Sequence, residues 1–376
     1  MREVSYLTSE LVKYPSVSME PFLNSKGIKE ASVFIASWLK ENDVKVQVLD
    51  LDNGWPSIIA GATDPKILLL GHFDVVPPGD EKAWNFPPFS GEIENGKVMG
   101  RGSNDMKGGV AVFMELLKEY PNQLGMFLSP DEEVGSLHST SIYVNKIKPS
   151  LVLVSEPSGS TNLVVGEKGM IIARINIAGK TAHGSLPWRG ESSLTNLLNS
   201  LEKLKNMLSN MSVKIPEPLR EAYNNSQRIF GEDTIKITIS VGVLSSGTVP
   251  TMVPDHSTAK LDIRIPHGVD INYVSELIRE MGFEVEFSTE PNYYLGKWEE
   301  LFLKSAREVG KNLVEVIDPA DNDGRLFRAR NIPSLCYGPG NEFNSHVYNE
   351  FVEESELENT LNVYTHFIKG AISEVN

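Results

Sequence analysis

The feature that most constrains the fold is a set of short apolar runs that each end in an ionisable side chain. The run ILLLG precedes His72, and the run LVLVS precedes Glu156. A third run, LGMFLSP, precedes three consecutive acids. Continuous apolar runs are typical of strands that are covered on both faces. The pattern therefore predicts an α/β fold in which helices sandwich a mostly parallel sheet, with a site at the carboxyl ends of its strands.

The order of predicted elements changes near residue 169. Before it, strands and helices alternate, whereas afterwards they follow the β-α-β-β-α-β order of ferredoxin-like units. At 376 residues the chain also exceeds the usual size of one domain. We therefore predict a catalytic domain in two parts, 1–168 and 290–376, interrupted by an inserted α+β domain at 169–289.

Composition excludes several classes of partner. A net charge of -15 argues against nucleic acid and anionic membranes, which require clustered lysine and arginine. No run of about 18 apolar residues is present, so we expect no membrane span. The N-terminal stretch has early acids and no apolar core, so we expect no signal peptide and a cytoplasmic protein. The single cysteine, Cys336, lies in a predicted buried strand and is not expected to be a nucleophile.

Three polar residues stand out around the first apolar run. His72 and Asp74 lie two apart at a strand end, so their side chains point to the same face. The carboxylate could hold the imidazole tautomer while the other ring nitrogen binds metal. Asp105 follows in RGSNDMKGG at a predicted helix start. Plainer explanations remain open, namely a hydrogen-bonded pair and a helix N-cap.

Further acids and a histidine complete a candidate set. Glu132 and Glu133 follow a buried strand, where one carboxylate could bind metal while its neighbour acts as a general base. Glu156 ends another apolar strand, where an unpartnered carboxylate would be unfavourable. His346 lies in a Gly/Asn-rich loop. A solvated turn and an exposed loop histidine are the plainer alternatives, but the nitrogen and oxygen donors together suit two zinc-like ions.

The motifs that carry these residues resemble the M20 metallopeptidase family. They read, in order, GHFDVVPPGD, GKVMGRGSNDMKGG, SPDEEVGS, SEPS, GKTAHGSLP and SHVYNEF. The family includes acetylornithine deacetylase, succinyl-diaminopimelate desuccinylase, aminoacylase and glutamate carboxypeptidase. The likeness covers nearly the whole chain. It implies a two-zinc catalytic domain with an inserted ferredoxin-like dimerisation domain.

The resemblance implies a role for each metal-site residue. Asp105 would bridge two divalent ions, zinc with cobalt as a possible substitute. His72 and Glu156 would complete one site, and Glu133 and His346 the other. The peptide after the bridging aspartate is typically cis in this family, which predicts a cis Asp105–Met106 bond.

The resemblance also implies catalytic roles outside the ligand set. Glu132 would be the general base, and Asp74 would orient the first histidine. His183, in TAHGS, matches a family histidine that reaches the partner subunit's site and stabilises the oxyanion. The expected assembly is therefore a homodimer.

Substrate recognition is predicted from weaker matches. Arg264 matches a family arginine that binds the substrate carboxylate, and Arg325 lies in a DGR segment like that of the desuccinylases. Thr251 stands where the family usually has asparagine, so an amide contact to substrate is replaced by a hydroxyl. The pocket would also include two glycines, Gly338 and Gly340.

The expected substrate is an N-acyl amino acid or a short peptide. Glutamate at position 156 is typical of the family's deacylases and carboxypeptidases, and the DGR segment favours deacetylase or desuccinylase activity. A carboxypeptidase or dipeptidase of the same family is the alternative. A non-catalytic metal-binding relative is a more distant alternative, which the intact ligands and base do not favour.

Overall fold

A computed structural model describes residues 3–52 and 54–375. The chain forms two compact units. The larger comprises the described residues of Met1–Val165, Tyr294–Glu315 and Asn322–Asn376, and the smaller comprises Gly166–Tyr293 and Val316–Asp321.

The helices and strands are numbered in chain order. The helices are α1 Glu3–Val12, α2 Ser25–Glu41, α3 Gly108–Glu119, α4 Thr140–Tyr143, α5 Ser193–Ser209, α6 Arg220–Phe230, α7 Ile271–Glu280, α8 Lys297–Glu308, α9 Gly324–Arg328 and α10 Glu354–Val375. The strands are β1 Val46–Asp50, β2 Pro56–Gly61, β3 Ile67–His72, β4 Ile93–Glu94, β5 Lys97–Met99, β6 Leu124–Ser129, β7 Leu151–Val154, β8 Asn162–Glu167, β9 Gly169–Ala178, β10 Thr238–Ser246, β11 His256–Ile265, β12 Glu284–Thr289, β13 Asn292–Tyr293, β14 Val314–Asp318, β15 Ser334–Cys336 and β16 Phe351–Glu353.

The larger unit is built on a mixed sheet whose central strands are parallel. Its strand order includes β1-β2-β6-β3-β7-β15-β8, and β3 pairs in parallel with both β6 and β7. Every residue of β3, β6 and β7 is buried, which matches their continuously apolar sequences. The prediction of an α/β fold with a central, mostly parallel sheet is confirmed.

Helices of the larger unit pack on one another and on the sheet. Helix α3 has the apolar sequence GGVAVFMELL over its first ten residues, and nine of its twelve residues are buried. It contacts α1, α10 and β6, while α2 packs on β1 and β2. Among the described residues, no helix is long and apolar enough to cross a membrane.

The smaller unit contains an antiparallel sheet in the order β10-β11-β9-β12. Taken in chain order, its first strand lies between the third and the fourth, which is the ferredoxin-like arrangement. Helices α5 and α7 cover it with apolar side chains such as Leu197, Leu204 and Val274. The sequence of 211–233 is polar and predicts an irregular insertion in this unit, but the stretch contains helix α6. The role of this unit in dimerisation stays a prediction.

Two predicted elements of the larger unit differ from the observed ones. The sequence predicts a helix near 139–147, but only the four residues Thr140–Tyr143 form α4. Asp131 accepts hydrogen bonds from the His138 N–H, at 2.7 Å, and from the Ser139 hydroxyl, which fixes the chain just before the helix in a non-helical turn. Strand β8 has no counterpart among the predicted strands, although all six of its residues are buried.

Candidate metal centre

The carboxyl ends of three neighbouring strands carry four of the predicted site residues. His72 is the last residue of β3 and pairs with Ser129, the last residue of β6. Glu132 and Glu133 follow β6 in a short turn, and Glu156 follows β7 by two residues. Because β3 lies between β6 and β7, these side chains meet at one edge of the sheet, as the apolar runs predicted.

Asp105 lies in an irregular turn, Ser103–Lys107, which leads into α3. Backbone angles depart from helical geometry at Asp105 (φ -124°, ψ 102°) and at Met106 (φ -125°, ψ 35°). The predicted cis peptide between these two residues is confirmed. The turn leaves the carboxylate of Asp105 facing the edge of the sheet, so it is not an ordinary helix cap.

The two oxygens of Asp105 face two different histidines. Oδ1 lies 3.2 Å from Nε2 of His72, and Oδ2 lies 3.3 Å from Nε2 of His346. Each histidine also faces a second carboxylate. Glu156 Oε1 lies 3.3 Å from Nε2 of His72, and Glu133 Oε2 lies 3.2 Å from Nε2 of His346. The structure thus brings all five predicted ligands together as two His–carboxylate pairs that share Asp105.

The two halves of this cluster differ in exposure. The side chain of His72 is only 1% exposed, whereas that of His346 is 52% exposed. His346 also has a left-handed backbone (φ 59°), as it lies in an irregular loop and not on a strand. The cluster is therefore closed around the first histidine and open to solvent around the second.

Asp74 joins the first histidine to the glutamate pair. Nδ1 of His72 donates to the backbone carbonyl oxygen of Asp74 at 3.1 Å and lies 3.4 Å from the carboxylate oxygen Oδ1 of the same residue. The other ring nitrogen, Nε2, therefore faces the carboxylates of the cluster. The same carboxylate accepts the N–H groups of Glu132 and Glu133, each at 3.1 Å, and the hydroxyl of Ser18 at 2.7 Å. Asp74 thus holds the imidazole through its carbonyl oxygen, and its carboxylate holds the turn that carries both glutamates.

Crowding of buried carboxylates perturbs their protonation. Burial raises the pKa of Glu156 to about 8, and burial also raises the pKa of Glu133. Burial, followed by the charges of nearby carboxylates, raises the pKa of Glu132 well above its usual value. Hydrogen bonds to Asp105 and Glu133 raise the pKa of His346 to about 11. Three carboxylates face two imidazoles in this cluster, so a bound cation would favour their ionised forms.

The donor set and its spacing fit divalent metal ions. The ligand atoms of His72, Asp105 and Glu133 lie within 4.8 Å of one another. Two donor atoms at about 2.0–2.1 Å from one tetrahedral zinc ion would lie about 3.3 Å apart. An imidazole whose Nδ1 already donates can face two carboxylates through Nε2 only if a proton or a metal cation lies between them. The observed separations of 3.2–3.3 Å are of the size that a shared ion requires.

The DGR segment lies beside the glutamate turn. Asp323 is buried and accepts hydrogen bonds from the hydroxyls of Ser136 and Thr140. Burial raises the pKa of Asp323, and the charge of Arg325 opposes that rise. The charge of Asp323 in turn contributes to the raised pKa of Glu132. Arg325 is therefore a buried arginine next to an acid that faces the predicted base.

The predicted pocket glycines are sites of close backbone approach. A Cβ on Gly338 would lie 2.3 Å from the Glu156 carbonyl oxygen and 2.4 Å from that of Ser155. A Cβ on Gly340, where φ is +82°, would overlap the side chain of Asn104. Gly338 is required because the backbone of Ser155 and Glu156 packs directly against it, and Gly340 is required because of its positive φ and the adjacent side chain of Asn104.

We expect Gly338→Ala to lower the free energy of unfolding by about 1–3 kcal/mol, because the added methyl group must displace the backbone of Glu156. Urea denaturation monitored by circular dichroism measures the change. Gly242→Ala is the matched control, since a Cβ there meets no heavy atom within 4 Å. Equal stability of the two variants would contradict the close packing.

Two predicted residues of the smaller unit lie side by side. His183 forms a β-bridge with Met252, and the Gly184 N–H donates to the Thr251 carbonyl oxygen at 2.7 Å. Nδ1 of His183 hydrogen-bonds the Ser185 hydroxyl at 2.7 Å. The structure therefore brings His183 and the segment of Thr251 together, and the side chain of His183 is exposed.

Arg264 has carboxylate partners within its own unit. Its Nε and Nη2 donate to the two oxygens of Asp262 at 2.8 and 3.0 Å, and Nη1 donates to Asp321 at 2.9 Å. These interactions, against the opposing effect of burial, raise the pKa of the guanidinium. The side chain is thus held in the bidentate geometry with which arginine binds carboxylates.

Two buried residues near Asp105 lack a distinctive signal in the sequence. Asn104 precedes Asp105, and Glu350 follows His346 by four positions. Both are fully buried, and the carboxylate of Glu350 accepts the N–H of Asp105 at 3.1 Å. The only available signal was an acid within the motif SHVYNEF, which is not distinctive by itself.

Comparison with known proteins identifies the family. Residues 68–370 match the model described as peptidase family M20/M25/M40. A succinyl-diaminopimelate desuccinylase from Vesicomyosocius okutanii is 26% identical, over 88% of this chain and 92% of its own length. A protein named probable carboxypeptidase from Aspergillus clavatus is also 26% identical, over 97% of this chain and 88% of its own length.

Solved structures show the same fold. An M20 family metallo-carboxypeptidase from Sulfolobus solfataricus superposes with a TM-score of 0.80 at 20% identity, and the match covers 98% of this chain and 99% of that one. The family match extends over most of the chain and contains all five residues of the His–carboxylate cluster. The chain therefore belongs to the M20/M25/M40 peptidase family, whose members hydrolyse amide and peptide bonds.

Proposed function

We propose that this protein is a two-metal amidohydrolase that removes the acyl group from an N-acyl amino acid. The observation that carries the proposal is the bridging geometry of Asp105, whose two oxygens face His72 and His346 at 3.2 and 3.3 Å. A carboxylate shared by two His–carboxylate pairs would offer each of two divalent ions one histidine and two carboxylates.

The five clustered side chains would hold the ions. His72, Glu156 and one oxygen of Asp105 would bind the first ion, while His346, Glu133 and the other oxygen would bind the second. Nitrogen and carboxylate donors suit zinc, and cobalt accepts the same donors. When bound, such ions lower the pKa of water and stabilise developing negative charge on a carbonyl oxygen.

Glu132 would be the general base. Its N–H is held by the Asp74 carboxylate next to that of Glu133, so its position is fixed by the same residue whose carbonyl oxygen holds His72. The raised pKa of Glu132 favours proton uptake by its carboxylate. Glu132 would accept a proton from the attacking water and then donate it to the nitrogen of the departing amino acid.

Residues of the smaller unit would contribute to recognition through a homodimer. His183 would stabilise the oxyanion in the partner subunit's site, and the hydroxyl of Thr251 would contact substrate beside it. Arg264 would bind the substrate carboxylate, which requires exchange with one of its present partners, Asp262 or Asp321. Arginine suits this exchange because its planar fork binds any carboxylate in the same way.

Residues of the larger unit are also proposed to bind substrate. Arg325 is buried beside Asp323, near the proposed base. Gly338 and Gly340 would shape the wall next to Glu156, where no side chain fits. An acyl group that ends in a carboxylate, such as succinyl, would complement the buried arginine.

Two activities are supported by relatives of equal identity. The desuccinylase relative supports removal of an acyl group, and Glu156 and the DGR segment favour that choice. The relative named as a probable carboxypeptidase supports release of a C-terminal residue from a peptide. Carboxypeptidase activity is therefore the second candidate.

A hydrolysis panel tests the proposal. The zinc-reconstituted protein is incubated with N-succinyl, N-acetyl and other N-acyl amino acids, and with dipeptides that have the same C-terminal residues. We expect a higher kcat/KM for an N-acyl amino acid than for its matched dipeptide, with activity lost on chelation and restored by zinc or cobalt. Faster hydrolysis of dipeptides would favour the peptidase, and a fully metallated protein without activity on any amide would refute the proposal.

A further inference from the structure

Two loops that supply metal-site residues run side by side. Strand β16 pairs antiparallel with β5, and Phe351 lies opposite Met99. The residues just outside this pair are therefore neighbours, and the Gly100 N–H donates to the Glu350 carbonyl oxygen at 2.9 Å. One loop leads from Gly100 to Asp105, and the other leads back from Glu350 to His346.

The carboxylate of Glu350 binds the backbone of the first loop. Its Oε1 accepts the N–H groups of Gly102, Asn104 and Asp105 at 2.9, 3.0 and 3.1 Å. Its Oε2 accepts Nη1 of Arg101 at 2.5 Å. The side chain is fully buried, so these charge-assisted bonds cannot be replaced by bonds to bulk water.

Asn104 makes the reciprocal connection to the second loop. Its amide nitrogen donates to the Asn341 carbonyl oxygen at 3.1 Å and to the Ser345 hydroxyl at 2.9 Å. Its amide oxygen accepts the Asn341 N–H at 3.1 Å. Asn104 is fully buried, and Ser345 directly precedes His346. Each loop therefore sends one buried side chain into the other.

We propose that Glu350 and Asn104 are positioning residues that lock the Asp105 turn and the His346 loop in one register and thereby set the affinity for metal. The inference rests on the two-metal centre proposed above. Neither residue contributes an atom to the ligand cluster. Without them, all five ligands would remain in the chain, but the bridging carboxylate and the exposed histidine would be free to move apart, and binding would have to restore their separation.

Two substitutions test this inference independently. Glu350→Gln keeps the size of the side chain but turns an N–H toward either Arg101 or the three backbone N–H groups, so one side of the network is broken. Asn104→Ala removes all three bonds of the amide. Matched controls are Glu353→Gln, a partly exposed acid on β16, and Asn145→Ala, an exposed asparagine.

Metal binding is measured directly, without substrate. Zinc affinity is determined by competition with a chromophoric chelator, and cobalt coordination by visible absorption of the cobalt-loaded protein. We expect each variant to bind zinc roughly 10- to 100-fold more weakly than the wild type, as for loss of a residue that orients a ligand. We also expect an altered cobalt spectrum, which a loss of stability alone would not produce. The control variants should match the wild type.

The outcomes are distinguishable. Folding of each variant is checked by circular dichroism, and if one does not fold, the other decides. Wild-type zinc affinity and an unchanged cobalt spectrum in a folded variant would overturn the role of that residue. A wild-type protein that binds no metal after reconstitution would instead refute the two-metal centre, and with it this inference.

Discussion

Asp105→Ala is expected to remove both metal ions and to lower turnover by at least about 10³-fold. Within the described cluster, Asp105 is the one carboxylate that faces both histidines. One of its oxygens lies 3.2 Å from Nε2 of His72, and the other lies 3.3 Å from Nε2 of His346. Loss of metal ions removes several kcal/mol of charge stabilisation, and about 1.4 kcal/mol corresponds to a factor of ten in rate. Elemental analysis of the reconstituted and dialysed protein measures the number of ions per chain.

The matched control is Asp64→Ala, which removes an exposed carboxylate of the same unit whose pairing with Lys66 is weak, at 3.5 Å. It should retain about two ions per chain, like the wild type. Circular dichroism excludes unfolding as the cause of any loss. An Asp105→Ala protein that still holds both ions would show that the carboxylate does not bridge them.

The fold could be predicted well where burial determines the sequence pattern. Strands β3, β6 and β7 are covered on both faces, so their sequences are continuously apolar and can be recognised without alignment. The smaller unit contains the predicted strands and helices, with α6 in addition. Its sheet has the strand order of ferredoxin-like units, which the β-α-β-β-α-β pattern indicates. These elements depend on local sequence and on the hydrophobic effect.

Elements that depend on distant partners could not be predicted. Strand β8 is apolar only in its centre, between Asn162 and Glu167, and its pairing with β15 joins residues far apart in the chain, Val164 and Cys336. Helix α4 begins at Thr140, whose hydroxyl donates to Asp323 from a distant part of the chain, and it ends after four residues. Tertiary hydrogen bonds override local helix preference at such positions.

The residues of the candidate site also fall into those that local sequence predicts and those that it does not. Residues that follow apolar strands, such as His72 and Glu156, could be found from their position. The residues from outside the sheet, Asp105 and His346, were distinguished from a helix cap and a loop histidine by the family resemblance. The buried network of Glu350 and Asn104 depends on the register of two loops, which no local pattern encodes.

Glu132→Gln is expected to keep the metal ions and to lower kcat by roughly 10²- to 10⁴-fold, the usual contribution of a general base. The substitution leaves the backbone N–H that donates to Asp74 in place, so the glutamate turn should keep its conformation. The amide cannot accept a proton at the pH of the assay, so proton transfer from water to the leaving amine is lost. Steady-state kinetics together with metal content measures both effects.

Glu133→Gln is the informative comparison, because the two residues are adjacent and share the carboxylate of Asp74. Glu133 lies 3.2 Å from Nε2 of His346, so this variant should lose affinity for the second ion, while Glu132→Gln should not. Excess zinc should therefore restore activity in part to Glu133→Gln and not at all to Glu132→Gln. Near-normal kcat in Glu132→Gln, or its recovery by added zinc, would mean that the base is another residue, because a base transfers protons and its loss cannot be compensated by metal.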